Sequence, residues 1–178
     1  MTLAERLEKL TERVLPKLNE HFGEGTFTFK EHRGELSISV PRERLLEFIG
    51  FLRNEPDLKF DFLKDVCAVD WNRRRERFEL IYNLWSVDHN LRLRVKCFTE
   101  ERNPHVDSLT GLYASANWYE RETYDMHGII FDGHPDLRRM YMPEDFVDPN
   151  SGDPLYPLRK DFPMMGVPGS LPLPGREG

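Results

Sequence analysis

Two segments of the chain alternate apolar and polar residues along their length, and they constrain the fold most. The first covers residues 77–87 and the second covers residues 91–98. Alternation with a period of two is typical of β-strands that are buried on one side. Because only Asp88, His89 and Asn90 separate the two segments, we predict that they pair as an antiparallel hairpin. A sheet with one apolar face then needs another layer to cover it.

Further segments predict helices and additional strands. Apolar residues recur at helical spacing over residues 2–22, where Pro16 is expected to kink or split the helix, and over residues 42–54. Additional strands are predicted at residues 26–30, 35–40 and 65–71. This order predicts an α+β fold, a two-layer sandwich in which helices cover one face of a mixed or antiparallel sheet.

The composition changes after Gly128. Residues 129–178 hold nine of the 13 prolines and six of the 12 glycines, a composition that does not pack a core by itself. These residues also carry many large apolar side chains, more than the preceding domain is expected to bury. We therefore predict an α+β domain over residues 1–128 and an extended, Pro-rich C-terminal arm over residues 129–178 that wraps a partner protein. The alternative is an arm that folds back on its own domain.

Charge and cysteine content argue against several classes of protein. The formal net charge of −6 disfavours nucleic acid and anionic lipid as main partners. Apolar runs stay short of the roughly 20 residues that span a bilayer, so no direct membrane span is predicted. The first residues do not resemble a secretory signal, and Cys67 and Cys97 are too few for a zinc or iron–sulfur site. The expectation is a reduced, cytosolic chain.

The segment from Trp118 to Gly128 combines aromatic and charged residues. A helix over about residues 116–128 is predicted, with Asn117 as the N-cap, Glu120 at the N3 position of a capping box, and Gly128 at its end. Arg121 and Asp125 lie one turn apart and are expected to pair. The mixture is typical of a protein interface or an active site.

Two groups in and after this helix have a chemical alternative. Glu120, Glu122 and Asp125 have the side chains of a general acid and base, but no nucleophile or cofactor motif accompanies them. His127 and His134, with a neighbouring aspartate, have metal-binding side chains at a spacing that matches no known site. Paired surface or interface charges are the favoured interpretation, so no catalytic and no metal-binding residue is assigned.

The basic residues are interpreted in two ways. Residues 73–75 beside Trp71 are a candidate RNA contact, although a solvated loop is the favoured interpretation. Arg138, Arg139 and the basic residues within 159–161 are predicted to bind carboxylates across an interface. The chain has no GxGxxG, P-loop or CxxC motif, and so no cofactor is expected to bind to it.

Three blocks, at residues 120–129, 133–139 and 157–163, together resemble the C subunit of NADH-quinone oxidoreductase, which is the 30 kDa subunit of respiratory complex I. The resemblance implies a non-catalytic subunit of the peripheral arm that lies against the D subunit (49 kDa) near the quinone site. FMN, iron–sulfur clusters, quinone reduction and proton translocation would belong to the assembly. The expected location is the cytoplasmic side of the bacterial inner membrane, as a peripheral protein.

The resemblance also selects residues, which we assign to assembly and orientation and not to chemistry. They are Glu120, Arg121, Glu122, Tyr124, Asp125, Gly128, His134, Pro135, Leu137, Arg138, Arg139, Arg159, Lys160 and Asp161. Position 127, a histidine here, is usually aromatic in this family, and residues 148–156 are interpreted as a local loop insertion. Two alternatives remain. One is the equivalent subunit of a membrane-bound hydrogenase, or of a dehydrogenase with another electron donor. The other is a free-standing acid/base enzyme.

Overall fold

The computed structural model describes residues 3–73, 75–163 and 166, so the predicted arm is described to Pro163 and at Gly166 only. The elements are α1 (Leu3–Phe22), β1 (Thr28–His32), β2 (Glu35–Ser39), a 3₁₀ turn (Arg42–Arg44), α2 (Leu45–Asn54), β3 (Phe62–Asp70), β4 (Phe78–Ser86), β5 (Leu91–Thr99), β6 (His105–Asp107), α3 (Ala116–His127) and β7 (Ile130–Asp132). None of the helices in these ranges has both the length and the apolar character needed to cross a membrane.

The main sheet has five strands in the order β1-β2-β5-β4-β3. The predicted hairpin of β4 and β5 is confirmed, with Tyr82 opposite Val95 and Leu84 opposite Leu93. Strand β2 pairs with β5 in parallel, placing Ile38 beside Val95, whereas the other neighbours are antiparallel. The sheet is therefore mixed, and the predicted α+β class is confirmed.

The core lies between this sheet and the helices. Alternate residues of β4 and β5, such as Tyr82 and Val95, are fully buried, while the residues between them are mostly half-buried or exposed. Val14 and Leu18 of α1 and Phe48 of α2 pack in the same buried cluster. Burial at both Val14 and Leu18 holds the helix on either side of Pro16, and α1 continues through the proline without being split.

A second, two-stranded parallel sheet was not predicted. In it, β6 pairs with β7, with Val106 opposite Phe131. Ile129 and Phe131 are fully or almost fully buried in the main core. Strands of three residues are too short to show an alternation in the sequence. The folded domain consequently continues past the predicted boundary at residue 128, because the first residues of the predicted arm belong to it.

Residues 133–163, hereafter the 133–163 segment, lie against α3 and the sheet and do not extend away from the domain. Backbone bonds fasten it at several points, including Leu158 N to Met126 O at 3.2 Å. The predicted local loop is a compact turn in which Val147 and Pro154 form a bridge and Asp148 Oδ1 accepts from Asn150 N at 2.7 Å. Over these residues the chain folds back on itself, which is the alternative to a free arm.

Candidate functional site

Helix α3 positions most of the residues selected from the sequence. The predicted stop is confirmed, since Gly128 has a left-handed φ of 72° and its N–H donates to Tyr124 O at 2.7 Å. The predicted range of about 116–128 agrees with α3, but the predicted N-cap is wrong. The N-cap is Ser115, two residues earlier than Asn117, and it makes no side-chain cap bond. Glu120 is therefore free for another role.

Glu120 is completely buried and binds the loop that precedes α3. Its Oε2 accepts a bond from Ser108 Oγ at 2.6 Å, and its Oε1 accepts one from Leu109 N at 2.7 Å. Burial raises the pKa of Glu120 to about 7, although both bonds act in the opposite direction. The side chain joins the loop to the helix and has no exposed surface at which a substrate could reach it.

Asp125 is also completely buried, but it is surrounded by donors from the 133–163 segment. Its Oδ2 accepts from the backbone N–H groups of Met140, Tyr141 and Met142 at 3.0, 2.6 and 2.9 Å, and Arg139 Nη1 lies 3.0 Å from Oδ1. Burial alone would raise the pKa of Asp125, but these four donors lower it below its ordinary value. The carboxylate thus holds the chain after Arg139 against α3.

Arg121 does not pair with Asp125, so the predicted one-turn ion pair is wrong. Its Nε and Nη2 donate to the carbonyl oxygens of Arg138 and Arg139 at 3.3 and 3.2 Å, and its guanidinium lies 5.1 Å from the centre of the Trp118 ring. The four donors from the 133–163 segment already surround Asp125, and no sequence spacing along the helix reveals them.

Gly128 leaves room for the end of the 133–163 segment. A Cβ atom at this position would lie 2.5 Å from Tyr156 Cζ and 2.6 Å from Arg159 Nη2. Arg159 Nε donates to His127 O at 2.6 Å, and the guanidinium lies 4.3 and 5.1 Å from the ring centres of Tyr156 and Phe78. Arg159 therefore caps the carboxyl end of α3, and its predicted contact with a carboxylate is not observed within the described part of the chain.

A buried ion pair that the sequence analysis missed binds the same segment to the sheet. Arg77 Nε and Nη2 lie 3.0 and 2.8 Å from Asp70 Oδ1 and Oδ2, and both side chains are almost fully buried. Lys160 N donates to Asp70 Oδ2 at 2.8 Å, and Asp161 lies 2.9 Å from Arg77 Nη2. Although burial opposes it, the bonds from Arg77, Lys160 and Asn72 lower the pKa of Asp70 to about 2. In the sequence, the signal for this ion pair was an aspartate at the end of one apolar strand and an arginine just before the next.

The remaining selected residues lie nearer the surface. His134 Nε2 is 3.1 Å from Asn117 O, and Leu137 packs partly against the core. Arg138 forms an exposed ion pair with Asp136 at 3.0 Å, unlike its buried neighbour Arg139. Glu122 and Pro135 are exposed, and burial raises the pKa of the half-buried Tyr124.

His127 is buried against Phe78, with ring centres 6.4 Å apart, and its Nδ1 has no hydrogen-bond partner. Burial lowers the pKa of His127 to about 4, so the ring is neutral at physiological pH. Within the described ranges, no three His, Cys, Asp or Glu residues form a cluster that could hold a metal ion. Of the three carboxylates of the acid/base alternative, Glu120 and Asp125 are enclosed by bonds within the chain, whereas Glu122 is exposed to solvent.

Several large apolar side chains remain exposed on this unit, and three of them are more than half exposed. Trp118 on α3 is 59% exposed, and Tyr141 and Leu158 of the 133–163 segment are 60% and 58% exposed. Exposed aromatic and aliphatic groups next to buried charged anchors are typical of a protein interface.

Comparison with known proteins identifies the family of the chain. Residues 38–168 match the family described as "Respiratory-chain NADH dehydrogenase, 30 Kd subunit". The chain is 44% identical over 157 residues to the NADH-quinone oxidoreductase C 2 subunit of Rhizobium meliloti (strain 1021), covering 88% of this chain and 82% of the relative. It is 41% identical over 167 residues to the NADH-quinone oxidoreductase C subunit of Geobacter metallireducens (strain ATCC 53774 / DSM 7210 / GS-15), covering 93% and 97%.

Two solved structures have a similar fold. The trypsin-resistant fragment (1-134) of Nqo5 superposes with a TM-score of 0.62 at 33% identity, covering 70% of this chain and 99% of the fragment. A chain of the membrane-bound sulfane sulfur reductase, an archaeal respiratory membrane complex, superposes with a TM-score of 0.65 at 27% identity, covering 86% of both chains. The chain therefore belongs to the family of the 30 kDa subunit of respiratory-chain NADH dehydrogenase.

Proposed function

We propose that this chain is a cofactor-free scaffold subunit in the peripheral arm of a proton-translocating NADH:quinone oxidoreductase. It binds the 49 kDa subunit near the quinone site and supports electron transfer from NADH through iron–sulfur clusters to quinone. FMN, the iron–sulfur clusters and quinone belong to other subunits. The protein lies at the cytoplasmic side of the bacterial inner membrane and has no active site of its own.

The observation that supports this proposal is that the charged groups around α3 are buried while large apolar groups there are exposed. The charged groups that an enzyme would use, Glu120 and Asp125, are buried and are occupied by bonds within the chain. The outer surface of the same unit instead presents Trp118, Tyr141 and Leu158. An active site needs the opposite, with reactive groups accessible and apolar groups enclosed. A surface that binds another protein has both features.

Affinity purification from native membranes tests the proposal. A tagged chain, solubilised in a mild detergent, is expected to migrate on blue native gels as part of a large complex. Mass spectrometry is expected to identify the 49 kDa subunit in that complex, and chemical cross-links are expected to join it to residues around Trp118 or Tyr141. A tagged chain that is recovered from the membrane as a monomer, or that cross-links to the 49 kDa subunit only from the far side of the sheet, contradicts it.

A second candidate function is the equivalent subunit of an assembly with another electron donor. The similarity to a chain of the sulfane sulfur reductase, which covers 86% of both chains, favours this candidate. In both assemblies the chain makes no contact with the electron donor, so it would bind its neighbouring subunits through the same surfaces. The proteins that co-purify distinguish the two, since a flavin-containing NADH-oxidising module is expected only in the first.

A further inference from the structure

The face of the five-stranded sheet opposite the packed core has an aromatic centre. Strand register places Phe62 of β3 beside Trp85 of β4, which in turn lies beside Arg92 of β5. The rings of Phe62 and Trp85 meet edge to face at 5.9 Å, and the guanidinium of Arg92 lies 5.7 Å from the centre of the Trp85 ring. Phe62 is 47% exposed. The Phe62 ring on this face is therefore accessible to a partner.

A depression of about 190 Å³ adjoins this centre. Its lining includes Lys64, Trp85, Arg92 and Arg94. Arg94 is already paired, because its Nη2 lies 2.7 Å from Glu35 Oε2. Lys64 and Arg92 have no carboxylate within ion-pair distance among the residues that the structure describes. The indole Nε1 of Trp85 is buried and likewise has no acceptor. Two exposed cations at one depression thus lack a carboxylate partner within the described part of the chain.

The charged side chains on this face of the sheet also leave an excess of positive charge. Lys96 is compensated by Glu79 at 2.8 Å, and Asp65 accepts from the Asn83 amide at 3.4 Å. Register also places Lys30 of β1 on this face, in line with Arg94. The face is locally basic on a chain whose net charge is −6. A carboxylate from a partner would form charge-assisted hydrogen bonds with the unpaired Lys64 and Arg92.

We propose that this sheet face, centred on Trp85, is a second docking surface and takes a protein segment that presents aspartate or glutamate side chains. A carboxylate in the depression pairs with Lys64 and Arg92, while an apolar side chain next to it packs on Phe62. A protein segment fits better than an anionic membrane, because the net charge of the chain repels anionic lipid and the cations are few. The partner is a further member of the assembly, so the inference rests on the proposed function.

A photoreactive benzoylphenylalanine in place of Phe62 tests this surface in the assembled complex. The expected product is a cross-link to a peptide of another subunit that contains aspartate or glutamate. The same replacement at Phe29, which is 53% exposed on the edge strand β1, serves as the control and is not expected to yield that peptide. A cross-link to lipid, to a peptide without acidic residues, or to nothing in a complex that has assembled overturns the proposal.

Charge reversal gives an independent measurement. Lys64→Glu with Arg92→Glu is expected to lower incorporation about tenfold when the variant competes with the wild-type chain, because like charges would meet. Lys9→Glu with Arg75→Glu makes the same change in net charge at exposed positions elsewhere and is expected to incorporate normally. Thermal unfolding of the isolated chains verifies folding; if the first pair fails to fold, the cross-link decides. A wild-type chain that never enters a complex refutes the proposed function, whereas equal incorporation of wild type and both variants refutes only this surface.

Discussion

Glu120 and Asp125 are both fully buried carboxyl groups on α3, and their surroundings favour opposite protonation states. Asp125 receives three backbone N–H donors and Arg139, which lower its pKa. Glu120 receives only a hydroxyl and one N–H, so desolvation dominates and raises its pKa to about 7. His127, with an unpartnered Nδ1, is kept neutral by burial. These differences follow from which groups the fold brings to each side chain.

Glu120→Gln is expected to change the pH dependence of stability. Burial raises the pKa of Glu120 from 4.5 to about 7, so between these values the folded chain keeps a proton that the unfolded chain loses. The free energy of unfolding of the wild type therefore decreases across this range, by roughly 3 kcal/mol. Glutamine keeps the neutral form and its bonds, and the variant lacks this decrease. Denaturant unfolding from pH 4 to 8 measures the difference; parallel curves for the two proteins would contradict the assignment.

His127→Phe is expected to stabilise the chain most in acid. Burial lowers the pKa of His127 from 6.5 to about 4, so stability from the neutral ring is present above pH 6.5 and is lost as pH falls towards 4. Phenylalanine preserves the contact with Phe78 and removes both this loss and the unpartnered nitrogen. The variant should gain about 2 kcal/mol more over wild type at pH 5 than at pH 8. An equal gain at both pH values would show that His127 titrates normally.

At the scale of elements, α3 and the 133–163 segment form one packed unit. The segment has little regular secondary structure, and it is held by charged side chains placed at intervals along it. Arg139 binds Asp125, Arg159 caps the end of α3, and Asp161 joins the Asp70–Arg77 pair. Because Gly128 has no side chain, Tyr156 and Arg159 of the segment can lie close against the end of α3. Composition predicts the irregular backbone, but the partners lie at sequence distances of 14 to 90 residues.

Arg139→Ala should release the 133–163 segment from α3, and Arg138→Ala should not. The two arginines are adjacent, but Arg139 pairs with a fully buried carboxylate whereas Arg138 pairs with an exposed one. Loss of a buried partner costs roughly 3 kcal/mol, which corresponds to about a hundredfold faster cleavage of the opened segment, whereas the exposed pair contributes up to about 1 kcal/mol. Cleavage by chymotrypsin, which does not cut at arginine, measures this. Equal rates for the two variants would refute the packed arrangement.

At the scale of the whole molecule, the described chain pairs the buried charges of Asp70, Arg77, Asp125 and Arg139 internally and leaves particular apolar groups accessible. The exposed Trp118, Tyr141 and Leu158 lie around α3, and the exposed Phe62 lies beside the half-buried Trp85 on the open face of the sheet. Such groups contribute little to the stability of the free chain and gain free energy only when another surface covers them. The buried contacts that hold the described fold lie within the chain, and we propose that other subunits cover the exposed apolar groups.

Trp118→Ser combined with Tyr141→Ser is expected to reduce assembly without unfolding the chain. Both side chains are about 60% exposed, so the free energy of unfolding should change by less than about 1 kcal/mol, including the lost contact with Arg121. Blue native gels should show a clear decrease of the complex. Phe29→Ser, at a position that is 53% exposed on β1, is the matched control and should assemble normally. Unchanged assembly of the double variant would contradict docking through α3.

The sequence by itself determined the hairpins, the main helices and the stop at Gly128, because periodicity and backbone restrictions act over a few neighbouring residues. It also carried the family signature. Only the tertiary structure decided which partners the charged residues bind. Asp125 pairs with Arg139 instead of Arg121, and Glu120 binds Ser108. Asp70 and Arg77 form a further buried ion pair. Buried charges take the donors that the fold brings nearest, and that proximity is not encoded in spacing along the chain.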